Sequence, residues 1–147
     1  MSVKKRQPRG ISLIERAVIE KQVRETLTAA KAHAMSSEDS DEIVGEAGRM
    51  FYVVLGAAIA DQLDPGMPEI HTLHAACDAL YDQAGEDAVA ADRRALISAG
   101  LRACEHLFGI LDYDSVIAEA LALHRRLKVG HLDWHAFEQS LQRLATT

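Results

Sequence analysis

Apolar residues recur at intervals of three and four along most of the chain, which is the spacing of one face of an α-helix. Six segments show this pattern, and no run reads as a β-strand. The first five are predicted at about residues 12–33, 39–63, 68–84, 87–108 and 112–128, and the sixth follows a capping Asp133. We therefore predict an all-α fold, an orthogonal or bundle-like array of about six helices.

The second segment, at about residues 39–63, is predicted to be the central helix. It is nearly apolar all round from Met50 to Ala60, so other helices should cover its whole surface. This run has eleven residues, whereas a membrane-spanning helix needs about 20. Gly45, Gly48 and Gly56 each cost about 1 kcal/mol relative to alanine, and either close helix packing or a kink would explain them.

Capping residues predict where the helices begin and end. Ser12-Leu-Ile-Glu15 is a capping box, Pro68 suits the first turn of a helix, and Gly85 suits a left-handed terminator. The first helix is predicted to bury one stripe of apolar residues: Ile14, Val18, Val23, Leu27, Ala30 and Ala34. Residues 1–11 then form a basic N-terminal arm, and residues 12–147 form a single all-helical domain.

Composition and charge are ordinary in total and uneven along the chain. Apolar residues make up 48% and charged residues 26%, as in soluble domains. The net charge of −6 argues against a general nucleic-acid binder. However, residues 1–31 carry +5, residues 32–92 carry −12 and residues 93–147 carry +1. Three alternatives remain open: solvated acidic faces, attraction between the arm and the acidic middle, or an acidic face that steers a basic partner.

Cys77 and Cys104 are predicted to be buried thiols, because each lies on an apolar helical stripe. Cys104 and His106 do not form a nucleophile pair, since side chains two positions apart do not share a helix face. The basic N-terminus is not followed by the apolar stretch of a secretory signal. We expect a cytoplasmic protein.

His71, His74 and Asp78 are the candidate metal ligands. Their spacing of three and four residues places them on one face of the third helix. Two imidazoles and a carboxylate would suit zinc or another divalent metal. The alternative is a surface histidine pair, with His74 hydrogen-bonded at the edge of the core.

The basic arm is the candidate contact for a protein partner or for nucleic acid. Basic tails bind phosphate backbones without reading sequence, and the alternative is a solubilising terminus. The residues concerned are Lys4, Lys5, Arg6, Arg9 and Arg16.

The sequence shows no catalytic constellation. We therefore predict a small, soluble, bacterial-type helical protein that acts by protein–protein interaction as a regulator, adaptor or inhibitor, and that forms a homo-oligomer. Metal binding through His71, His74 and Asp78 is one alternative. Association with nucleic acid through the arm is the other, and no membrane contact or cofactor besides a divalent metal is expected.

Overall fold

The computed structural model describes residues 12–128, and all the regular structure in that range is helical. Five helices follow one another: α1 (Leu13–Ser36), α2 (Ser40–Ala60), α3 (Pro68–Gln83), α4 (Ala91–Phe108) and α5 (Tyr113–Lys128). The all-α prediction is confirmed. The predicted sixth helix and the basic arm at residues 1–11 lie outside the described residues.

Helix α1 begins as its capping box predicts, with the amide of Glu15 donating to the hydroxyl of Ser12 at 3.1 Å. It extends one turn beyond the predicted end at about His33. Its buried stripe is Val23, Leu27, Ala30 and Ala34. The prediction that Ile14 and Val18 are also buried is wrong. The contact of this end of α1 with α5 is made by Arg16 on the opposite helix face, and both apolar side chains are exposed.

Helix α2 is the central helix and packs against each of the other four described helices. Asp39 caps its N-terminus by accepting from the amide of Glu42. It ends at Ala60, three residues before the predicted Leu63. By length and composition α2 could span a membrane. The eleven-residue apolar run alone had indicated a segment too short to do so. However, 67% of its most apolar window is buried against the rest of the protein, which is the environment of a core helix.

The glycines of α2 have different surroundings. A Cβ on Gly56 would lie 2.7 Å from the carboxylate carbon of Glu119 on α5, and this flexible side-chain end could move aside, so the contact does not require glycine. A Cβ on Gly45 would meet nothing within 4 Å, and nothing in the structure explains a glycine there.

Helices α3 and α4 form the most extensive helix pair among the described residues. Pro68 occupies the first turn of α3, and Gly85 has φ +82°, as predicted for a left-handed terminator. The predicted start of α4 at Asp87 is wrong. Residues 84–90 form a loop, and α4 begins at Ala91 without a side-chain cap.

Aspartates from two parts of the chain hold the start of α5. Asp112 accepts from the amide of Asp114 at 3.0 Å, which agrees with the predicted start of this helix at about residue 112. Asp61, at the end of α2, accepts from the amide of Asp112 at 2.7 Å and from the hydroxyl of Ser115 at 2.5 Å. Asp61 therefore joins the end of α2 to the start of α5.

Candidate functional site

The three predicted metal ligands lie on α3, with His71 and Asp78 exposed and His74 half-buried beside a small apolar cleft. Burial lowers the pKa of His74, His71 lowers it further, and Asp78 acts in the opposite direction. Within residues 12–128, no group of three or more His, Cys, Asp or Glu side chains is placed to hold a metal ion. The zinc site therefore stays a prediction.

The two thiols lie in the core, as the sequence indicated. Both are free cysteines, and burial raises the pKa of the Cys77 thiol to about 12. Burial, followed by the neighbouring Cys77, raises the pKa of Cys104 well above its usual range. Such thiols remain protonated and are poor nucleophiles.

Three cations of α1 contact the later helices, whereas Lys21 pairs with Glu25 inside α1. Arg16 Nη1 lies 2.5 Å from Asp114 Oδ1, and Lys31 Nζ lies 2.7 Å from Glu105 Oε2. Arg24 stacks on the ring of Tyr113, with its guanidinium carbon 5.2 Å from the ring centre. These contacts fix α1 against α4 and α5. Of the predicted partner contacts, Arg16 is thus engaged within the protein.

The other predicted partner contacts precede the described residues. They are Lys4, Lys5, Arg6 and Arg9.

His33 is a contact that the sequence pattern did not single out. Its Nδ1 lies 2.7 Å from Glu46 Oε2 and 3.4 Å from Glu42 Oε1, which joins the end of α1 to α2. The hydrogen bond to Glu46 is the main cause that raises the pKa of His33. The clue in the sequence was a histidine near the end of one helix followed by glutamates in the next.

His33 gives a prediction about pH. A folded-state pKa above the usual 6.5 means that the pair stabilises the fold fully below pH 6.5, and that this contribution is lost as the pH rises through the folded-state pKa. At pH values below 6.5 we expect wild type to have a slightly higher urea midpoint than His33→Gln. This difference should disappear as the pH rises through the folded-state pKa of His33. His106→Gln, at an exposed position of α4, is the control. A gap that is constant with pH would contradict the prediction.

The first turns of α1 present large apolar side chains to solvent. Leu13 is 84% exposed, Ile14 78% and Val18 50%, and Ala17 between them is exposed as well. The other exposed large apolar residues of residues 12–128 come one each from separate parts of the chain: Met35, Ile59, Tyr81, Leu96 and Ile110. Dispersed apolar residues are normal on a protein surface, whereas a contiguous group marks a contact surface. We call Leu13, Ile14, Ala17 and Val18 the α1 apolar patch.

A second apolar feature is an open groove between α1, α2 and α5, with a volume of about 360 Å³. Its floor and walls are formed mainly by Ile19, Val23, Met50, Val53, Leu121 and Leu123. Polar side chains at its edges are Gln22, Thr26, Arg49 and His124. We call this feature the α1/α2/α5 groove.

Comparison with known proteins finds no family model, no curated protein and no solved structure that matches this chain. The contacts and surfaces of the described residues are therefore the basis of the function proposed below.

Proposed function

We propose that the protein acts by protein–protein interaction, as a regulator, adaptor or inhibitor without catalytic activity of its own. Its contact surface is the α1 apolar patch together with the basic residues that precede it. The observation that supports this is the exposure of Leu13, Ile14 and Val18 at one end of one helix. Covering apolar surface stabilises a complex by roughly 25 cal/mol per Å², so this end of α1 gains most from a partner.

The charge beside the patch indicates the chemistry of the partner. Residues 1–11 contain four basic side chains and no acidic one. Arg16 is held by Asp114 within the protein, so it positions α1 and leaves the contact to the four preceding cations. A surface that combines positive charge with apolar side chains fits an acidic protein surface that has an apolar contact of its own.

The apolar patch also favours protein over nucleic acid as the partner. Phosphate and sugar contacts are made by basic, polar and backbone groups. The side chains of Leu13, Ile14 and Val18 carry no charged or polar group, and they would stay exposed against a phosphate backbone.

Site-specific photo-crosslinking in cells of the source organism tests the proposal. A benzoylphenylalanine at position 14 samples the patch, and the matched control at position 35 lies at the other end of α1, where Met35 is 71% exposed. We expect position 14 alone to crosslink to an acidic segment of one protein. Replacing Lys4, Lys5, Arg6 and Arg9 together by glutamine should remove that product.

Three results would overturn the proposal: crosslinks from position 14 to nucleic acid, crosslinks to a second copy of this chain, or the same products from both positions. Folding can be tested separately. Ile14→Ser and Val18→Ser are exposed substitutions and should change the free energy of unfolding by less than about 0.5 kcal/mol, so loss of the crosslinked complex in these variants would reflect lost binding.

A further inference from the structure

The α1/α2/α5 groove has the properties of a binding site for a helix. Three helices form it, and apolar side chains from all three line it, among them Val23, Met50 and Leu121. Apolar side chains on one face of an amphipathic helix fill grooves of this kind. The lining therefore suits an amphipathic helix as the occupant of the groove.

We propose that residues 129–147 of the same chain dock in this groove. Their sequence has apolar residues at spacings of three and four: Trp134, Phe137, Leu141 and Leu144. This is the pattern of one helical face, and it matches the apolar lining of the groove. The inference concerns a different surface from the α1 apolar patch and stands apart from the proposed function.

The position where α5 ends supports this occupant. Helix α5 lines the groove from Ala120 to His124 and ends at Lys128. At 1.5 Å per residue, Lys128 is about 6 Å along the helix axis from His124. The next segment of the chain therefore starts beside the groove.

The length of the intervening chain fits a helical hairpin. Four residues, 129–132, separate the end of α5 from the predicted cap Asp133. Antiparallel helices are joined by about 2–5 residues, and the sequence has glycine, the residue type favoured just after a helix end, at position 130. A helix over 134–144 would be about 16 Å long, enough to run back along α5 past the groove-lining residues.

Charge and tethering favour this segment over other occupants. Asp133 and Glu138 flank the apolar face of the segment, and the groove has Arg49 and His124 at its edge. A short tether also gives the segment an effective concentration of the order of mM. To compete equally at the same affinity, a second copy or a separate ligand would need a free concentration of that order.

Trp134 is the only tryptophan of the chain, so its fluorescence reports docking in the full-length protein. Ala120→Glu places a carboxylate in the groove, and Ala118→Glu is the matched control on an exposed position of the same helix. In wild type and in Ala118→Glu we expect a low acrylamide quenching constant for Trp134. This constant should not change with protein concentration. In Ala120→Glu the emission should shift to the red and the quenching constant should rise severalfold.

The proposal is overturned if the wild-type quenching constant equals that of N-acetyltryptophanamide, if shielding disappears on dilution, or if Ala120→Glu leaves it unchanged. An unshielded Trp134 in the wild-type protein would overturn the proposal without any variant. If Ala120→Glu does not fold, Thr26→Glu on the α1 wall of the groove, with exposed Thr28→Glu as its control, replaces it with the same expected results.

Discussion

Replacing Gln83 by leucine is expected to destabilise the protein by about 2 kcal/mol, although leucine is apolar and similar in size. Gln83 is fully buried, and its side-chain amide makes three hydrogen bonds. Nε2 donates to the hydroxyl of Ser40 at 2.9 Å and to the carbonyl of Ala88 at 2.8 Å. Oε1 accepts from the amide of Ala90 at 3.3 Å.

These bonds connect the end of α3 to the start of α2 and to the loop before α4. Leucine would leave the Ser40 hydroxyl, the Ala88 carbonyl and the Ala90 amide without this partner. A buried group that loses its hydrogen bond costs about 1–3 kcal/mol, and this cost applies to the Ser40 hydroxyl, because Ala88 is exposed and Ala90 is partly buried, so that water can replace the bond there. The expected effect therefore falls in the upper part of the usual range for single substitutions, about 0.5–3 kcal/mol.

Urea unfolding of wild type, Gln83→Leu, Ser40→Ala and the double variant measures this effect. Residues that share a hydrogen bond show a coupling energy, so the double variant should lose less than the two single variants together. Tyr81→Leu, on the exposed side of the same turn of α3, is the control and should change little. A Gln83→Leu protein as stable as wild type would contradict the assigned role.

The sequence predicts the helices well where their ends depend on nearby residues. The cap at Ser12, the cap at Asp39 and the terminator at Gly85 each act within a few positions, so pattern and residue type are enough. The start of α4 fails for a long-range reason. Asp87 resembles a capping residue, but Gln83 binds the backbone of the following loop and the helix begins at Ala91.

Periodicity also has a limit at α1. It identifies which residues share a face, and Ile14 and Val18 do follow the helical spacing. Whether that face is covered depends on where the neighbouring helices lie, which local spacing does not contain. The same limit applies to His71 and Asp78: their spacing places them on one face, and it left open whether that face holds a metal or is simply exposed surface.

The contacts that join distant segments could not be read from the pattern. Gln83 is a polar residue in an apolar helix, and its partner Ser40 is 43 positions away. His33 reaches Glu46 across 13 positions and a change of helix. Both residues resemble ordinary solvent-facing positions in the sequence, because their function depends on tertiary packing that brings the partners together.

Replacing Gly100 by alanine is the second substitution expected to have a large effect, with a loss of stability of about 1–2 kcal/mol. Gly100 is buried where α4 crosses α3. A Cβ there would overlap the Cβ of Ala76 and lie 2.9 Å from Cζ of Phe51. Alanine favours the helix by about 1 kcal/mol over glycine, but neither neighbour is the flexible end of a long side chain, so the helices must move apart.

Adding Ala76→Gly to Gly100→Ala distinguishes the close approach from a general effect of alanine. The double variant transfers the methyl group from α3 to α4 and removes the overlap with Ala76, while the contact with Phe51 remains. The loss of stability, measured by urea unfolding, should therefore be smaller than the sum of the single losses by about 1 kcal/mol. Gly45→Ala in α2 meets no atom within 4 Å and should instead stabilise by about 0.5–1 kcal/mol. If Gly100→Ala stabilises the protein as Gly45→Ala does, then α3 and α4 do not pack as closely at this position as the structure shows.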